Sequence, residues 1–228
     1  MFDLTFTVEA RSGPTPLTLA IDQLVIAGWT GRDPVARDKH IAELEALGIA
    51  RPATTPIYYR ASARRLTQED SIEACGNDSS GEVEFVLIGW QGRVFVGLGS
   101  DHTDRKVESY NVTVSKQMCD KPIAPVLWEL EDVAAHWDRL ILRSYAVING
   151  KRELYQEGTL DAMLPVDELI KRGFAGSKFP DACAMFGGTF AAKGGIRPAD
   201  RFEFELEDPV LKRKISHAYD VVTLPVRG

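Results

Sequence analysis

Three acidic residues near the middle of the chain have the types and spacing of a metal site. Glu82 and Glu84 are separated by one residue, so in a strand, where successive side chains point to opposite faces, both would project from the same face. Two like charges side by side repel each other and need a compensating cation. The alternative interpretation is a solvated strand face that carries scattered acids.

The residues that follow predict a hairpin that adds a third carboxylate. Gln91-Gly92 suits a two-residue hairpin loop, because glycine readily adopts the positive φ that such loops need. The resulting register pairs Glu82 with Asp101, and opposed residues of antiparallel strands share a face. It pairs Glu84 with Gly99, which would leave room beside the glutamate. We therefore predict that Glu82, Glu84 and Asp101 converge.

This ligand set favours a hard divalent cation. Carboxylate oxygens are better ligands for Mg²⁺, Mn²⁺ and Ca²⁺ than for zinc or copper. We predict Mg²⁺ or Mn²⁺ as the cofactor, with Ca²⁺ as its substitute in crystals. The three cysteines, Cys75, Cys119 and Cys183, are far apart and form no CxxC pair, which argues against structural zinc and a disulfide framework. A reducing, cytoplasmic location is the corresponding expectation.

The elements that must position these residues indicate an α+β fold rich in strands. Phe2 to Val8 alternates apolar and polar residues, which predicts a half-buried strand, and Leu17 to Ala27 is interpreted as another strand. Asp33 is suited to cap a helix that Gly48 would end. From Pro56 to Val114 the pattern changes to short strands separated by turns.

Composition sets further bounds on the function. The 228 residues are 44% hydrophobic and 26% charged, which predicts one domain over residues 1–228 with a sizeable core. A net charge of -6 argues against nucleic acid or an anionic membrane as a partner, because both need a basic surface. No segment approaches the ~20 apolar residues of a membrane-spanning helix. The first residues, Met1 to Glu9, lack the pattern of a signal peptide.

Several segments, in order along the chain, resemble motifs of the fumarylacetoacetate hydrolase (FAH) superfamily. Gly81–Phe85 resembles its Glu-x-Glu-Leu strand, which supplies two metal-binding glutamates. Ser100–Arg105 resembles its Asn-Asp-x-Ser-x-Arg segment, whose aspartate is the third ligand. Ser115–Gln117 resembles its Gly-Lys-Ser segment, whose lysine contacts substrate. Further matches follow at Gln156–Met163, Gly187–Ala191 and Pro198–Leu206.

Upstream, Asp38–Glu43 resembles a helix of the smaller members, Asn-Tyr-x-x-His-x-x-Glu, whose His-Glu pair lies in a lid and activates water. The resemblance covers about residues 20–225 and is greatest to an uncharacterised branch, the domain of unknown function DUF2848. It implies an FAH-like mixed β-roll or sandwich with a short N-terminal helical lid. His102 beside the third ligand, Phe190 in place of a loop proline and the missing Asn-Tyr depart from the pattern. The metal ligands match despite these departures, and the substrate is left open.

The resemblance implies that His40 and Glu43 are catalytic. They are three residues apart on the predicted helix and are therefore neighbours on its surface. Glu43 would orient the imidazole, and His40 would take a proton from water. On spacing alone, an exposed helix face is the favoured explanation of both residues.

The resemblance also implies roles for four residues around the metal. Lys116 would be catalytic, adding positive charge to an enolate oxygen. Arg105 would bind a remote substrate carboxylate, which its planar fork matches, although an ordinary surface salt bridge is the alternative. Gln156 and Thr189 would bind substrate by donating hydrogen bonds to its carboxylate.

The function that the resemblance implies is a divalent-metal-dependent hydrolase. It would cleave a C–C bond in a small β-diketo or 2-oxo acid through a metal-stabilised enolate. An oxaloacetate-type decarboxylase or a keto–enol isomerase is an alternative that keeps the metal and omits the water. A non-catalytic protein that binds metal and dicarboxylates is another. The resemblance also implies a homodimer.

Overall fold

The computed structural model describes residues 2–11, 13–46, 51–175 and 178–227, and all structural statements concern these residues. Its strands are β1 (Phe2–Ala10), β2 (Gly13–Ile21), β3 (Gln23–Gly28), β4 (Ile57–Ala61), β5 (Leu66–Thr67), β6 (Ser71–Cys75), β7 (Ser79–Ser80), β8 (Val83–Trp90), β9 (Arg93–Ser100), β10 (Thr103–Asp104), β11 (Lys121–Pro122), β12 (Val126–Glu129), β13 (Ile141–Ile148), β14 (Lys151–Thr159), β15 (Cys183–Phe186), β16 (Arg201–Asp208) and β17 (Arg213–Leu224). Its helices are α1 (Pro34–Ala46), α2 (Arg105–Glu108), α3 (Val112–Met118), α4 (Leu130–Val133) and α5 (Val166–Gly173), with 3₁₀ turns at Ala63–Arg65, Ala134–Arg139 and Leu160–Ala162.

Two large sheets organise the described residues. One has eight strands in the order β2-β1-β12-β9-β8-β15-β3-β4, and the other has five in the order β14-β13-β16-β17-β6. Short pairs, β10 with β7 and β11 with β5, lie outside them. The main core contains residues from both sheets, such as Phe85 from β8 and Phe204 from β16, so the two sheets pack face to face.

The other face of the eight-stranded sheet encloses a second core. This core unites Leu4 and Leu19 from one end of the sheet, Ile26 from near the other end, and Val86 and Ile88 from its centre. Buried residues therefore pack on both faces of this sheet, and the strand-rich α+β fold class predicted from the sequence is confirmed.

The hairpin of β8 and β9 has the register predicted from the sequence. Trp90 pairs with Arg93 and Glu84 with Gly99, and both loop residues between the strands have positive φ. The space beside Glu84 is used differently from our expectation. A Cβ on Gly99 would lie 2.6 Å from the ring of Phe186, so the glycine accommodates this aromatic side chain rather than leaving a vacancy.

Two predictions about elements were wrong. Leu17–Ala27 is not one strand, because the chain changes neighbours at Asp22: β2 pairs antiparallel with β1, and β3 pairs parallel with β15. The region before Val114 is not all strand either, since it contains α2 and the start of α3. Side-chain caps explain these helices. Asp104 accepts a hydrogen bond from the Val107 backbone (2.8 Å), and Asn111 accepts one from the Val114 backbone (3.0 Å).

Helix α1 begins where the sequence predicts. Its first residue is Pro34, and Asp33 accepts a hydrogen bond from the Val35 backbone at 2.8 Å. The predicted stop at Gly48 lies outside the described residues. No helix among the described residues has both the length and the apolar character needed to cross a bilayer.

Candidate active site

The three predicted ligand residues meet at the end of the β8–β9 hairpin. One carboxylate oxygen from each of Glu82, Glu84 and Asp101 lies within 4.8 Å of those of the other two. The pairing continues past the last strand residues, because the Asp101 backbone donates a hydrogen bond to the Glu82 carbonyl at 2.9 Å. Glu84 and Asp101 are almost completely buried. The spacing argument for convergence therefore describes the geometry correctly, and metal binding stays a prediction.

A cavity of about 780 Å³ opens onto this cluster. All three carboxylates contribute to its wall, together with Arg105, Glu108, Lys116, Thr189 and residues of the Gly28–Arg37 segment. This volume is in the range that binds small organic molecules. The cavity is therefore the candidate substrate site.

Lys116 reaches the carboxylates from α3. Its ammonium lies 2.7 Å from Oδ2 of Asp101 and 3.1 Å from Oε2 of Glu82, and it donates to the Thr103 hydroxyl at 3.2 Å. Burial alone would lower the pKa of Lys116, but the charges of Asp101, Glu82 and Glu108 outweigh it and raise this pKa well above its ordinary value. Lys116 is therefore a fixed positive charge at neutral pH and not a base.

Arg105 lies beside the carboxylates, on the short helix that Asp104 caps. It donates to Oε1 of Glu82 at 3.2 Å and to Oε2 of Glu108 at 2.8 Å. Glu108, which the sequence reasoning missed, also lies 3.5 Å from Lys116. The signal available for it was its position three residues after Arg105, which places both on one helix face. Glu82 and Glu108 already share the charge of Arg105, and its predicted contact with a remote substrate carboxylate stays a prediction.

Lys121 is a second residue that sequence reasoning missed. Its side chain has no exposed surface, and its ammonium lies 3.2 Å from Oδ1 of Asp101. It also donates to the backbone carbonyl of His102 at 2.6 Å. A lysine inside the apolar, proline-flanked segment up to Ala124 was the available signal, since lysine is almost never fully buried without a partner. Lys121 holds Asp101 in place from the side opposite Lys116.

The charges of this cluster do not balance. The carboxylates of Glu82, Glu84, Asp101 and Glu108 face the cations of Arg105, Lys116 and Lys121. Burial and the negative charges of Asp101 and Glu82 raise the pKa of Glu84 well above its usual value. Burial would also raise the pKa of Asp101, but Lys116 and Lys121 outweigh it and lower this pKa. Glu84 is therefore the carboxylate of this cluster whose ionised form lacks compensation.

The donor set fits a divalent cation. Apart from the two lysine ion pairs, both buried oxygens of Asp101 lack a hydrogen bond within the described part of the chain. The raised pKa of Glu84 indicates that its ionised form lacks compensation. A hard cation between three carboxylates would supply this compensation with the oxygen ligands that Mg²⁺ prefers.

Gly188 orients Glu84 through its backbone. Its N–H donates to Oε2 of Glu84 at 2.7 Å, and its φ is +115°. A Cβ at this position would lie 2.0 Å from the Thr30 hydroxyl, so only glycine allows this approach.

Gln156 is buried, and protein contacts use both ends of its amide. Its oxygen accepts hydrogen bonds from the Val83 backbone and from the Ser144 hydroxyl, both at 3.0 Å. Its nitrogen donates to the Thr189 hydroxyl at 2.8 Å and to the Phe190 carbonyl at 2.6 Å. These contacts fasten the Thr189 loop to β8. They favour a positioning role, and substrate binding by Gln156 stays a prediction.

Thr189 lies in the cavity wall, as its predicted role requires. Its hydroxyl donates to the Val83 carbonyl at 2.8 Å, so its proton already has an acceptor. Direct donation to a substrate carboxylate would need this bond to break. The predicted role of Thr189 as a donor is therefore left untested by the geometry.

His102 belongs to a buried hydrogen-bond chain behind the carboxylates. Nδ1 lies 2.9 Å from the Tyr219 hydroxyl, and Nε2 lies 2.8 Å from the Ser79 hydroxyl. Burial, together with the charges of Lys121 and Arg105, lowers the pKa of His102 to about 3, so the ring is neutral. Tyr219 continues the chain to Ser100, whose hydroxyl accepts from the Glu82 backbone at 3.2 Å. The network supports the backbone that carries two predicted ligands.

The predicted catalytic pair falls on α1, but the side chains of His40 and Glu43 lie outside the described residues. The helix itself borders the cavity, to which Ala36 and Arg37 contribute. Position 40 follows position 36 by four residues and position 37 by three, so it neighbours both on the helix surface. The pair stays a prediction.

Comparisons with known proteins agree with this architecture. The family described as "Protein of unknown function (DUF2848)" matches residues 27–219. A search of curated proteins finds no match.

Three solved structures illustrate the likeness of fold. A hexagonal crystal form of 2-keto-3-deoxyarabinonate dehydratase has a TM-score of 0.67 and 14% identity, over 91% of this chain and 75% of that chain. The protein Cg1458 with an inhibitor has a TM-score of 0.66 and 16% identity, over 93% of this chain and 81% of that chain. A complex of 2-keto-3-deoxy-D-arabinonate dehydratase with magnesium and 2,5-dioxopentanoate has a TM-score of 0.65 and 14% identity, over 90% of this chain and 74% of that chain. The predicted resemblance to DUF2848 is thereby confirmed, and the solved structures show a likeness of fold.

Proposed function

We propose that this chain, which belongs to the DUF2848 family, is a divalent-metal-dependent enzyme that acts on a small 2-oxo or β-diketo acid. Its reaction would be hydrolysis of a C–C bond beside the keto group. One observation carries the proposal: the carboxylates of Glu82, Glu84 and Asp101 converge within 4.8 Å, in the wall of a cavity that also contains the ammonium of Lys116.

In this proposal, Glu82, Glu84 and Asp101 hold Mg²⁺ or Mn²⁺. The ion would supply Lewis-acid stabilisation of negative charge on the substrate's keto oxygen. Lys116 would add positive charge next to these carboxylates, since its ammonium lies 2.7 Å from Asp101 and 3.1 Å from Glu82. A fixed charge of this kind stabilises developing negative charge without reorganisation, and it is most effective where water is excluded.

Protein contacts support the proposed ligands from several directions. Lys121 holds one oxygen of Asp101, and the Gly188 backbone holds Glu84. Arg105 holds Glu82. Groups that fix the orientation of ligand residues in this way typically contribute to metal affinity.

His40 and Glu43 remain the proposed water-activating pair. His40 would take a proton from the attacking water, and Glu43 would hold the imidazole in the required orientation. Their helix contributes Ala36 and Arg37 to the cavity wall, which supports this assignment. Assembly as a homodimer and a cytoplasmic location are further proposals that follow from the resemblance.

A second candidate reaction is elimination of water or CO₂ from a 2-oxo acid. The likeness of fold to a 2-keto-3-deoxyarabinonate dehydratase favours it. Such a reaction needs the same stabilisation of charge on the keto oxygen, but it needs no activated water. In H₂¹⁸O, hydrolysis would place label in a newly formed carboxylate, whereas dehydration and decarboxylation would not. Replacing His40 by Ala should abolish hydrolysis and leave a metal-driven elimination.

Calorimetry of Mn²⁺ binding tests the foundation of the proposal. We expect wild-type protein to bind the ion and Glu84→Gln to lose this binding. Glu73→Gln is the matched control, because Glu73 is exposed on β6 and lies away from the cluster. The protein with Mg²⁺ would then be assayed by NMR against a panel of 2-oxo and β-diketo acids. Equal Mn²⁺ binding by wild type and Glu84→Gln would refute the metal site. Ligand binding without turnover of any acid would instead favour a non-catalytic binding protein.

A further inference from the structure

Arg37, near the start of α1, is a cation in the cavity wall that has little to neutralise it. Its side chain is 14% exposed, and its Nε forms a long ion pair, at 3.7 Å, with the carboxylate of Asp38, which is 60% exposed. Among the described residues, its guanidinium makes one hydrogen bond, to the Gly31 carbonyl at 3.4 Å. Its Nε is buried and has no hydrogen-bond partner within the described ranges. Most of the donors of Arg37 are therefore unused.

The other cations of this cavity differ from Arg37, because protein carboxylates neutralise each of them. Arg32 makes two hydrogen bonds to Asp138, at 2.9 and 2.7 Å, and a third to the Met163 carbonyl at 2.8 Å. Arg105 and Lys116 are paired within the carboxylate cluster. Within the described part of the chain, Arg37 differs from these three cations because its carboxylate contact is a long one to an exposed partner, Asp38.

Two further acids line the cavity, and both are engaged elsewhere. Asp33 accepts a hydrogen bond from the Val35 backbone at 2.8 Å, as the cap of α1. Asp161 accepts one from the Thr159 hydroxyl, and its charge acts on Arg32. Within the described part of the chain, neither forms an ion pair with Arg37.

A guanidinium that is largely removed from water and only weakly paired is costly, and a carboxylate that it can bind through two parallel hydrogen bonds is its best partner. We propose that Arg37 binds a second carboxylate of the substrate, remote from the 2-oxo acid group. The substrate of the proposed reaction, on which this inference rests, would then be a dicarboxylic 2-oxo acid. Arg37 thereby takes the role that the sequence suggested for Arg105, whose charge Glu82 and Glu108 already share.

The test uses two acids that differ only at the remote end, 2-oxoglutarate and 2-oxopentanoate, which carry a terminal carboxylate and a methyl group respectively. Binding of each acid to the Mg²⁺-loaded protein would be measured by calorimetry. The variants are Arg37→Leu, which removes the charge and suits a helix, and Arg37→Lys. Arg64→Leu is the control for net charge, because Arg64 is exposed and outside the cavity wall.

Wild type and Arg64→Leu should bind 2-oxoglutarate about tenfold or more tightly than 2-oxopentanoate, as a charge-assisted hydrogen bond implies. Arg37→Leu should bring this ratio close to one without changing the affinity for 2-oxopentanoate, which also shows that the variant is folded. Arg37→Lys should keep part of the preference, since it retains the charge and loses the fork.

Three results would overturn the inference. Equal binding of both acids by wild type, or an equal loss of both in Arg37→Leu, would remove Arg37 from recognition and leave the proposed 2-oxo acid chemistry standing. If Mg²⁺ binds and neither acid does, the proposed function itself fails, and the role of Arg37 fails with it.

Discussion

The ammonium of Lys116 lies 2.7 Å from Oδ2 of Asp101, a carboxylate with no exposed surface. Lys121 approaches the other oxygen of the same carboxylate at 3.2 Å. Two lysines thus flank a residue that also belongs to a cluster of three carboxylates. The arrangement combines a negatively charged cation site with a permanent positive charge in one cavity. This combination leads to four predictions.

Replacing Lys116 by Met should separate metal binding from turnover. The change removes the charge beside the reacting oxygen, so we expect kcat to fall by roughly two to three orders of magnitude. Mn²⁺ affinity should stay the same or rise, because Asp101 and Glu82 lose a competing cation. Calorimetry and steady-state kinetics on the best substrate of the panel measure the two effects. Lys106→Met, an exposed change on α2, is the control. An unchanged kcat would exclude an electrostatic role for Lys116.

Replacing Glu84 by Gln should stabilise the metal-free protein as the pH rises. Burial and the charges of Asp101 and Glu82 raise the pKa of Glu84 in the folded state above its unfolded value. The contribution of this protonated carboxyl is complete below the unfolded pKa and is lost as the pH rises through the folded pKa. Glutamine resembles the protonated form at every pH and can still accept the Gly188 hydrogen bond.

Melting temperatures in EDTA, from about pH 5 to about pH 8, test this prediction. The advantage of Glu84→Gln over wild type should grow with pH, and Glu73→Gln should follow wild type. A constant difference across this range would contradict the raised pKa of Glu84. Addition of Mn²⁺ should reverse the order, since only wild type gains stability from the ion.

Metal affinity should increase with pH in the range where Glu84 titrates. Ligand carboxylates must be ionised to bind, so the ion must displace the proton that the raised pKa retains on Glu84. Calorimetry of Mn²⁺ binding in buffers of different ionisation enthalpy measures the number of protons released. Release should be greatest at low pH and should decline as the pH passes the pKa of Glu84. An affinity independent of pH would show that Glu84 is ionised before the metal binds.

Replacing Gly188 by Ala should destabilise the protein more than the same change at Gly13. Both glycines have similar positive φ values, +115° and +114°. The conformation alone should therefore cost each variant about 1–3 kcal/mol of unfolding free energy. An added Cβ at Gly188 would also lie 2.0 Å from the Thr30 hydroxyl, whereas at Gly13 it would meet nothing within 4 Å.

Urea denaturation in EDTA measures this difference, and Mn²⁺ calorimetry measures the associated effect on the metal site. Gly188→Ala should also weaken Mn²⁺ binding, because its backbone N–H orients Glu84. Gly13→Ala should bind the ion as wild type does. If the two variants lose the same stability, the contact with Thr30 is relieved without cost.

Several features of the site were predictable because they depend on neighbouring residues. The two-residue period of a strand places Glu82 and Glu84 on one face. The loop Gln91-Gly92 adopts the positive φ values that set the hairpin register, and that register brings Asp101 to the pair. Asp33 likewise caps α1 at the predicted start. Each of these relations is local, so residue type and spacing suffice to predict it.

The surroundings of the carboxylates depended on contacts between distant segments. The alternation of strand-forming residues gave no sign of α2, which a single cap at Asp104 creates and which brings Arg105 and Glu108 to the cluster. Lys121 lies on β11, which pairs with the distant β5, and it is buried against Asp101. Gln156 turns inward to the Val83 backbone because β14 packs near β8, which spacing along the chain cannot reveal.

By itself the sequence determined the three converging carboxylates and, through resemblance, the family and the fold class. The tertiary structure alone decided which charges compensate each other: Lys121 is held on Asp101, Arg105 is neutralised by Glu82 and Glu108, and Arg37 is left with unused donors. The physical reason is that the energy of a charge in a cavity depends on every group around it. Those groups come from segments whose separation in sequence carries no information about their distance in space.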